Sequence, residues 1–198
     1  MTKSSNEIVI FNGPSPDTPI YLRLAVQSAT LRLYCRQEYP DRLSLSFDVS
    51  ALAPEGYDGP FNELFFTDHS IPDQVITATG PGILDRFTIT YNYAHRPEPN
   101  SESPASVYTG IHEFFETFRM SLTFIAGDKY LMNCEGNLEG SYFRCDCESK
   151  FEYLRITDKL PANISDLEET ARRYLGQIET TYTSNEHTIY FDAVSSSH

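Results

Sequence analysis

Apolar and polar residues alternate at every second position over much of this chain, a pattern that few folds accommodate. Leu43, Leu45, Phe47 and Val49 are separated by Ser44, Ser46 and Asp48. Phe87, Ile89, Tyr91 and Tyr93 alternate with Thr88, Thr90 and Asn92, and Phe118, Met120, Leu122 and Phe124 with Arg119, Ser121 and Thr123. Successive side chains of a strand point to opposite faces, so each run builds one apolar and one polar face. Shorter or weaker strands are expected at 7–11, 62–66 and 74–79, and in two runs, 20–26 and 31–35, flanking a break at Ser28-Ala29. Further strands are expected at 130–134, 142–147, 151–156 and 188–194. Turns are expected at Tyr39-Pro40-Asp41, Gly80-Pro81-Gly82, Ala126-Gly127-Asp128-Lys129, Glu135-Gly136-Asn137 and Glu139-Gly140, where Gly and Pro punctuate the pattern.

Two segments break the two-residue period. Ile111, Phe114, Phe115 and Phe118 have helical spacing, so 110–116 is expected to be a short helical turn feeding the strand that follows. Ser165-Asp166-Leu167-Glu168 has the form of a capping box. Beyond it Leu167, Ala171, Tyr174, Leu175 and Ile178 share one helical face, which predicts an amphipathic helix at about 165–178. The expected fold is all-β and mainly antiparallel. It is a β-sandwich or closed β-barrel of about ten strands, with that C-terminal helix followed by a last strand. Residues 1–198 are expected to form a single β-rich domain, with a flexible Pro-rich loop at 96–106 and a short disordered tail at 195–198.

The 198 residues include 28 acidic and 15 basic side chains, a formal net charge of -13. A surface this acidic repels phosphate backbones and anionic headgroups, so neither nucleic acid nor a membrane is expected as a partner. The N-terminal segment has no long apolar stretch of the kind a leader needs, and no run is long enough for a membrane span, which points to a cytoplasmic protein. Cys35, Cys134, Cys145 and Cys147 are expected to be structural thiols, since Cys-x-Cys lacks zinc-site spacing. A disulfide from Cys134 to Cys145 or Cys147 is the alternative in an oxidising compartment.

No phosphate-binding loop, dinucleotide fingerprint, nucleophile elbow or zinc-protease motif occurs, and no cofactor or metal is expected. The candidate catalytic groups are scattered. Asp68 and His69 adjoin after an apolar run, and His95 follows a tyrosine-rich strand, where each would sit at a rim and serve as a base. His112 and Glu116 would meet at i and i+4 if 110–116 is helical, and a carboxyl held among phenylalanines would act as an acid. With 13 Phe, 13 Tyr and no Trp, the strand tyrosines are the natural ligand contacts, notably Tyr91, Tyr93 and Tyr142, with His112 beside them.

The favoured function is a non-catalytic binding module holding a small hydrophobic ligand or a protein partner at its loop rim or barrel mouth. The alternative is a cofactor-independent enzyme, of isomerase or cyclase type, using Tyr, His and carboxylate groups in an apolar cavity. A homo-oligomer formed through strand edges is a further possibility.

Overall fold

A short strand held between two long ones sets the geometry of the whole sheet. The computed structural model describes residues 5–52, 63–72, 79–92, 105–108 and 112–196, with 63–72 and 112 described by backbone alone. β1 (Glu7–Phe11) is bonded on both edges, to β2 (Ile20–Arg36) and to β10 (Ser141–Lys159), and is antiparallel to each. Two strands antiparallel to a third are parallel to each other. Where β1 begins, the gap it fills closes, and β2 and β10 bond directly in parallel, from Thr30 against Lys150 to Arg36 against Thr157.

Each long strand bends into this junction by carrying one unmatched residue. Gln27 is extra in the ladder between β2 and β3 (Tyr39–Ala51), and Glu152 is extra in the ladder between β10 and β2. Such a bulge shifts the alternation by one. Core-facing residues of β2 pass from Leu22 and Leu24 to Ala29, Leu31, Leu33 and Cys35. Those of β10 pass from Phe143, Cys145, Cys147 and Phe151 to Leu154 and Ile156. The phase changes that suggest strand breaks in the sequence are therefore bulges inside single strands of 17 and 19 residues.

From β3 the sheet continues through β4 (Glu63–Pro72) and β6 (Ala105–Tyr108) to β7 (His112–Phe114). On the other flank of β10 lie β9 (Lys129–Leu138), β8 (Thr117–Ala126) and β5 (Thr88–Asn92). Past the end of β9, β12 (Thr188–Ser195) takes over that edge of β10, and β11 (Ile178–Ser184) flanks β12. Among the described residues every pairing except β2–β10 is antiparallel, and the twelve strands form one sheet. The expected all-β, mainly antiparallel class is thus observed, as a sheet curled into a half-barrel.

The curl follows from connectivity. β7 and β8 lie toward opposite ends of the bonded order, yet only Phe115 and Glu116 join them. Phe115 N–H donates to Ala105 O of β6, and Glu116 N–H donates to Asn137 O of β9, so consecutive residues tie the two flanks together. Apolar side chains fill the space enclosed. Phe47 of β3 stacks on Phe118 of β8 at 6.1 Å, and Phe115 lies 5.0 Å from Phe118 and 5.2 Å from Phe143. Each such ring removed from water stabilises the fold by about 1.5–3 kcal/mol.

The helix α1 (Ile164–Leu175) adds Leu167, Ala171, Tyr174 and Leu175 to the same core. Its cap is Asn163, whose Oδ1 accepts the Ser165 N–H, rather than Ser165 itself, and Glu168 pairs with Arg172 instead of closing a capping box. Gly176, at φ 74°, stops the helix, so Ile178 begins β11 and two strands follow the helix. Other sequence expectations also shift. Tyr39-Pro40-Asp41 opens β3, which leaves Gln37-Glu38 as the turn, and residues 112–114 are extended rather than helical. The proline-rich stretch and the segment 74–78 lie outside the described residues, although Ala105 and Ser106 belong to β6. In the tail, Ser195 Oγ donates to Leu175 O and Ser196 N–H donates to Gln177 O, so both are tied down.

All four cysteines are buried free thiols. Cys134 lies directly opposite Cys145, and the Cys145 and Cys147 sulfurs are 3.8 Å apart. Burial pushes the Cys134 thiol well up, which removes its nucleophilic form.

Two residues give direct tests of this packing. Gly136 sits within β9, not in a turn, and a Cβ there would lie 2.2 Å from Thr117 O and 2.7 Å from the Phe115 ring. Gly136→Ala is expected to destabilise the protein by about 1–3 kcal/mol, seen as a lower denaturant midpoint, and an unchanged midpoint would show that Phe115 does not seat there. Tyr130 is fully buried; its hydroxyl donates to Pro81 O and accepts the Leu84 N–H, and burial pushes it from 10.0 up to about 12. Between those values the unfolded tyrosine loses its proton while the folded one keeps it, so stability is full below about 10 and falls as pH rises toward about 12. Tyr130→Phe is expected to flatten that decline in chemical melts, and an identical alkaline slope would exclude Tyr130 as its source.

Candidate functional site

The outer face of the central strands carries an ordered array of guanidinium and phenol groups. After the two bulges, alternation turns Arg32, Tyr34 and Arg36 of β2 outward beside Tyr153, Arg155 and Thr157 of β10, which pair with them in register. Arg32 bonds to both Glu152 (2.6 Å) and Asp48. Arg155 grips Asp192 of β12 with two parallel bonds of 2.6 and 2.7 Å. The Tyr153 ring lies between them, 6.0 Å from the Arg32 guanidinium carbon and 5.0 Å from that of Arg155. Tyr34 meets Tyr153 edge-on at 6.2 Å, and burial followed by the contact with the Tyr153 hydroxyl pushes Tyr34 up to about 12. Arg32 and Arg155 are thus each matched by carboxylates, and these pairs clamp four strands together.

Next to it, at the β2–β3 hairpin, the matching stops. A cleft of about 480 Å³ opens there, lined by Tyr34, Arg36, Tyr39, Arg42, Ser44 and Thr157. Ion pairs hold ten of the basic side chains described, from Arg23 with Glu7 to Arg172 with Glu168. Among the described residues Arg36 and Arg42 make no ion pair, although the charge of Arg36 reaches the Glu38 carboxylate, and both line this cleft. Arg42 lies over the Tyr39 ring at 5.7 Å. The acid of the turn, Glu38, is bound to Lys159, whose hydrogen bond and charge hold its carboxyl below the usual range. Among the described residues no Asp or Glu lines the cleft. Two exposed guanidiniums, two phenol rings and two hydroxyls together suit an anionic head on a flat body.

A larger cleft of about 740 Å³ lies between the β8–β9 hairpin, the end of α1 and the end of β12. Its charges answer one another: Asp128 pairs with Lys150, Glu152 with Arg32, and Ser195 Oγ donates to the helix-terminal Leu175 carbonyl. Among the described residues no group of three or more His, Cys, Asp or Glu side chains is placed to hold a metal ion. No helix among them is long and apolar enough to cross a membrane.

The residues singled out from the sequence do not converge. Asp68 and His69 fall inside β4, with His69 opposite Leu45, and not past the end of a strand at a rim. His95 and Tyr93 lie outside the described residues. The contact between His112 and Glu116 needs a helix, whereas His112 belongs to extended β7 and Glu116 is exposed in the link to β8. Tyr91, opposite Phe118, packs at the edge of the core. Tyr142 is on the outer face beside Phe11, and its hydroxyl donates to Glu135 at 2.7 Å. Tyr91 and Tyr142 therefore sit on opposite faces of the sheet.

Arg36, Tyr39 and Arg42 were not legible as a site. Glu38 and Asp41 stand between them in sequence, and the cation that removes Glu38, Lys159, comes 121 residues later. Comparison with protein-family models, with curated proteins and with solved structures finds no match for this chain.

Proposed function

We propose that this protein is a non-catalytic binding module that takes a small apolar ligand bearing a carboxylate in the cleft of Arg36 and Arg42. One observation carries the proposal: in a chain with 28 acidic and 15 basic side chains, two arginines that make no ion pair among the described residues line the same cleft. An excess of acid leaves few cations unanswered, so leaving two of them together favours an anion supplied from outside. The net charge of -13 favours a monoanion over a polyanionic partner, because long-range repulsion grows with the ligand's charge. Tyr34 and Tyr39 offer rings to an apolar body, and Ser44 and Thr157 offer hydroxyls to its polar substituents.

The packed interior supports a site on the outside. Phe47, Phe115, Phe118 and Phe143 meet where a barrel ligand would lie. The catalytic alternative needs acid and base groups gathered in one enclosed space, and its candidates are spread over β4, β7 and the β7–β8 link.

Calorimetric titration with a panel of aryl and alkyl carboxylates, each paired with its primary amide, tests the proposal. Carboxylates are expected to bind saturably and the amides not. Arg36→Ser and Arg42→Ser are each expected to weaken binding about tenfold or more, the range of one charge-assisted hydrogen bond, without lowering the melting temperature. Arg119→Ser, on another part of the outer face, is the control and should bind as the parent does. Equal binding of acids and amides, or no saturable binding by any acid, would refute the assignment.

A further inference from the structure

We infer that β11 is the seam of a two-fold dimer, in which two copies of this chain join their sheets edge to edge through antiparallel pairing of β11 with itself. Among the described residues β11 is bonded only to β12, and it runs Ile178-Glu179-Thr180-Thr181-Tyr182-Thr183-Ser184. Every residue from Glu179 to Ser184 is exposed, Tyr182 at 65%. The strand thus overhangs the core, with both faces and one edge open.

The hydrogen bonds at the two ends of the hairpin show which amides that open edge presents. Ser196 N–H donates to Gln177 O, and Asn185 N–H donates to Thr188 O. In an antiparallel ladder bonded residues recur at every second position. With the unbroken register between, Glu179, Thr181 and Thr183 therefore bond inward to β12. Ile178, Thr180, Tyr182 and Ser184 aim their N–H and C=O groups outward. None of the four is proline, so each has a donor and an acceptor to give.

These four residues are symmetric about Thr181. A two-fold axis at Thr181 sets Thr180 against Tyr182 of the second copy, and Ile178 against Ser184. Each of these is a bonded pair, so all the outward groups are used at once. An axis at a neighbouring residue would leave an end unpaired. The side chains fit the same register: Tyr182 falls beside a Thr, a favourable aromatic–β-branched pair. The strand's one charge, Glu179, faces the second copy's Thr183 and meets no like charge.

The strand also lacks the devices that keep natural edges apart. It has no proline, no lysine and no bulge, and its Thr and Tyr side chains favour extended backbone. A seven-residue seam is smaller than a standard protein interface. The association is therefore concentration-dependent rather than permanent, which also suits two bodies of net charge -13.

Sedimentation of the full chain over about a hundredfold range of concentration at physiological salt reads the association directly. A reversible monomer–dimer equilibrium is expected. Hydrogen exchange gives the register: the Thr180, Tyr182 and Ser184 amides should gain protection only as concentration rises, while those of Thr181 and Thr183 stay protected throughout. Thr180→Pro removes an outward amide and keeps the inward ladder, so it should abolish the dimer and leave the melting temperature near that of the parent. Tyr182→Lys serves the same purpose if the proline variant folds poorly. A monomer at every concentration would overturn the inference, as would a dimer that persists in a folded variant or protection that ignores concentration at the even-numbered amides.

Discussion

Everything in this fold is arranged around β10. For its first half it is bonded to β1 on one edge and β9 on the other, and for its second half to β2 and β12. One strand thus meets four partners, and the bulge at Glu152 is what lets it do so. Without the extra residue, Leu154 and Ile156 would turn outward and Tyr153 and Arg155 would turn into the core. The same residue that re-phases the strand also binds Arg32, so the bend in β10 and the charged array on its outer face have a common origin.

Much of the secondary structure was written in the sequence, because alternation is a local signal. The runs at Leu43, Phe87 and Phe118 became β3, β5 and β8, and the helical face from Leu167 to Leu175 became α1. What failed was the interpretation of interruptions. A change of phase looks the same in sequence whether it marks a turn, as at Glu139-Gly140, or a bulge, as at Glu152. Gly136 looked like punctuation, yet it occupies a core-facing position whose volume Phe115 fills from the link between β7 and β8. The extended backbone at 112–114 overrode the helical spacing of Ile111, Phe114 and Phe115, because β7 pairs with β6. That pairing is tertiary, and no short window contains it.

The site was less legible than the fold, for a related reason. Sequence directs attention to residues that can do chemistry, and hence to His69, His95 and Glu116. The cleft at Arg36 and Arg42 is defined instead by what its neighbours do elsewhere. Lys159 has taken Glu38, Asp48 and Glu152 are held by Arg32, and Asp192 is held by Arg155. With these acids engaged elsewhere, Arg36 and Arg42 make no ion pair among the described residues. That engagement needs contacts spanning more than a hundred residues, such as Arg32 with Glu152, which are 120 apart.

The parallel seam between β2 and β10 also fixes an order of events as the chain is made. β1 and β2 leave the ribosome early, but β10, which bonds to both, is made more than a hundred residues later. Until then Ile8, Ile10, Leu31 and Leu33 lack the strand that encloses them, and two strand edges stay unpaired. Contacts so distant in sequence form slowly, because the loop between them must first be closed. For this protein the dangerous interval is therefore synthesis itself, when the apolar faces of the N-terminal half exist and the strand that covers them does not.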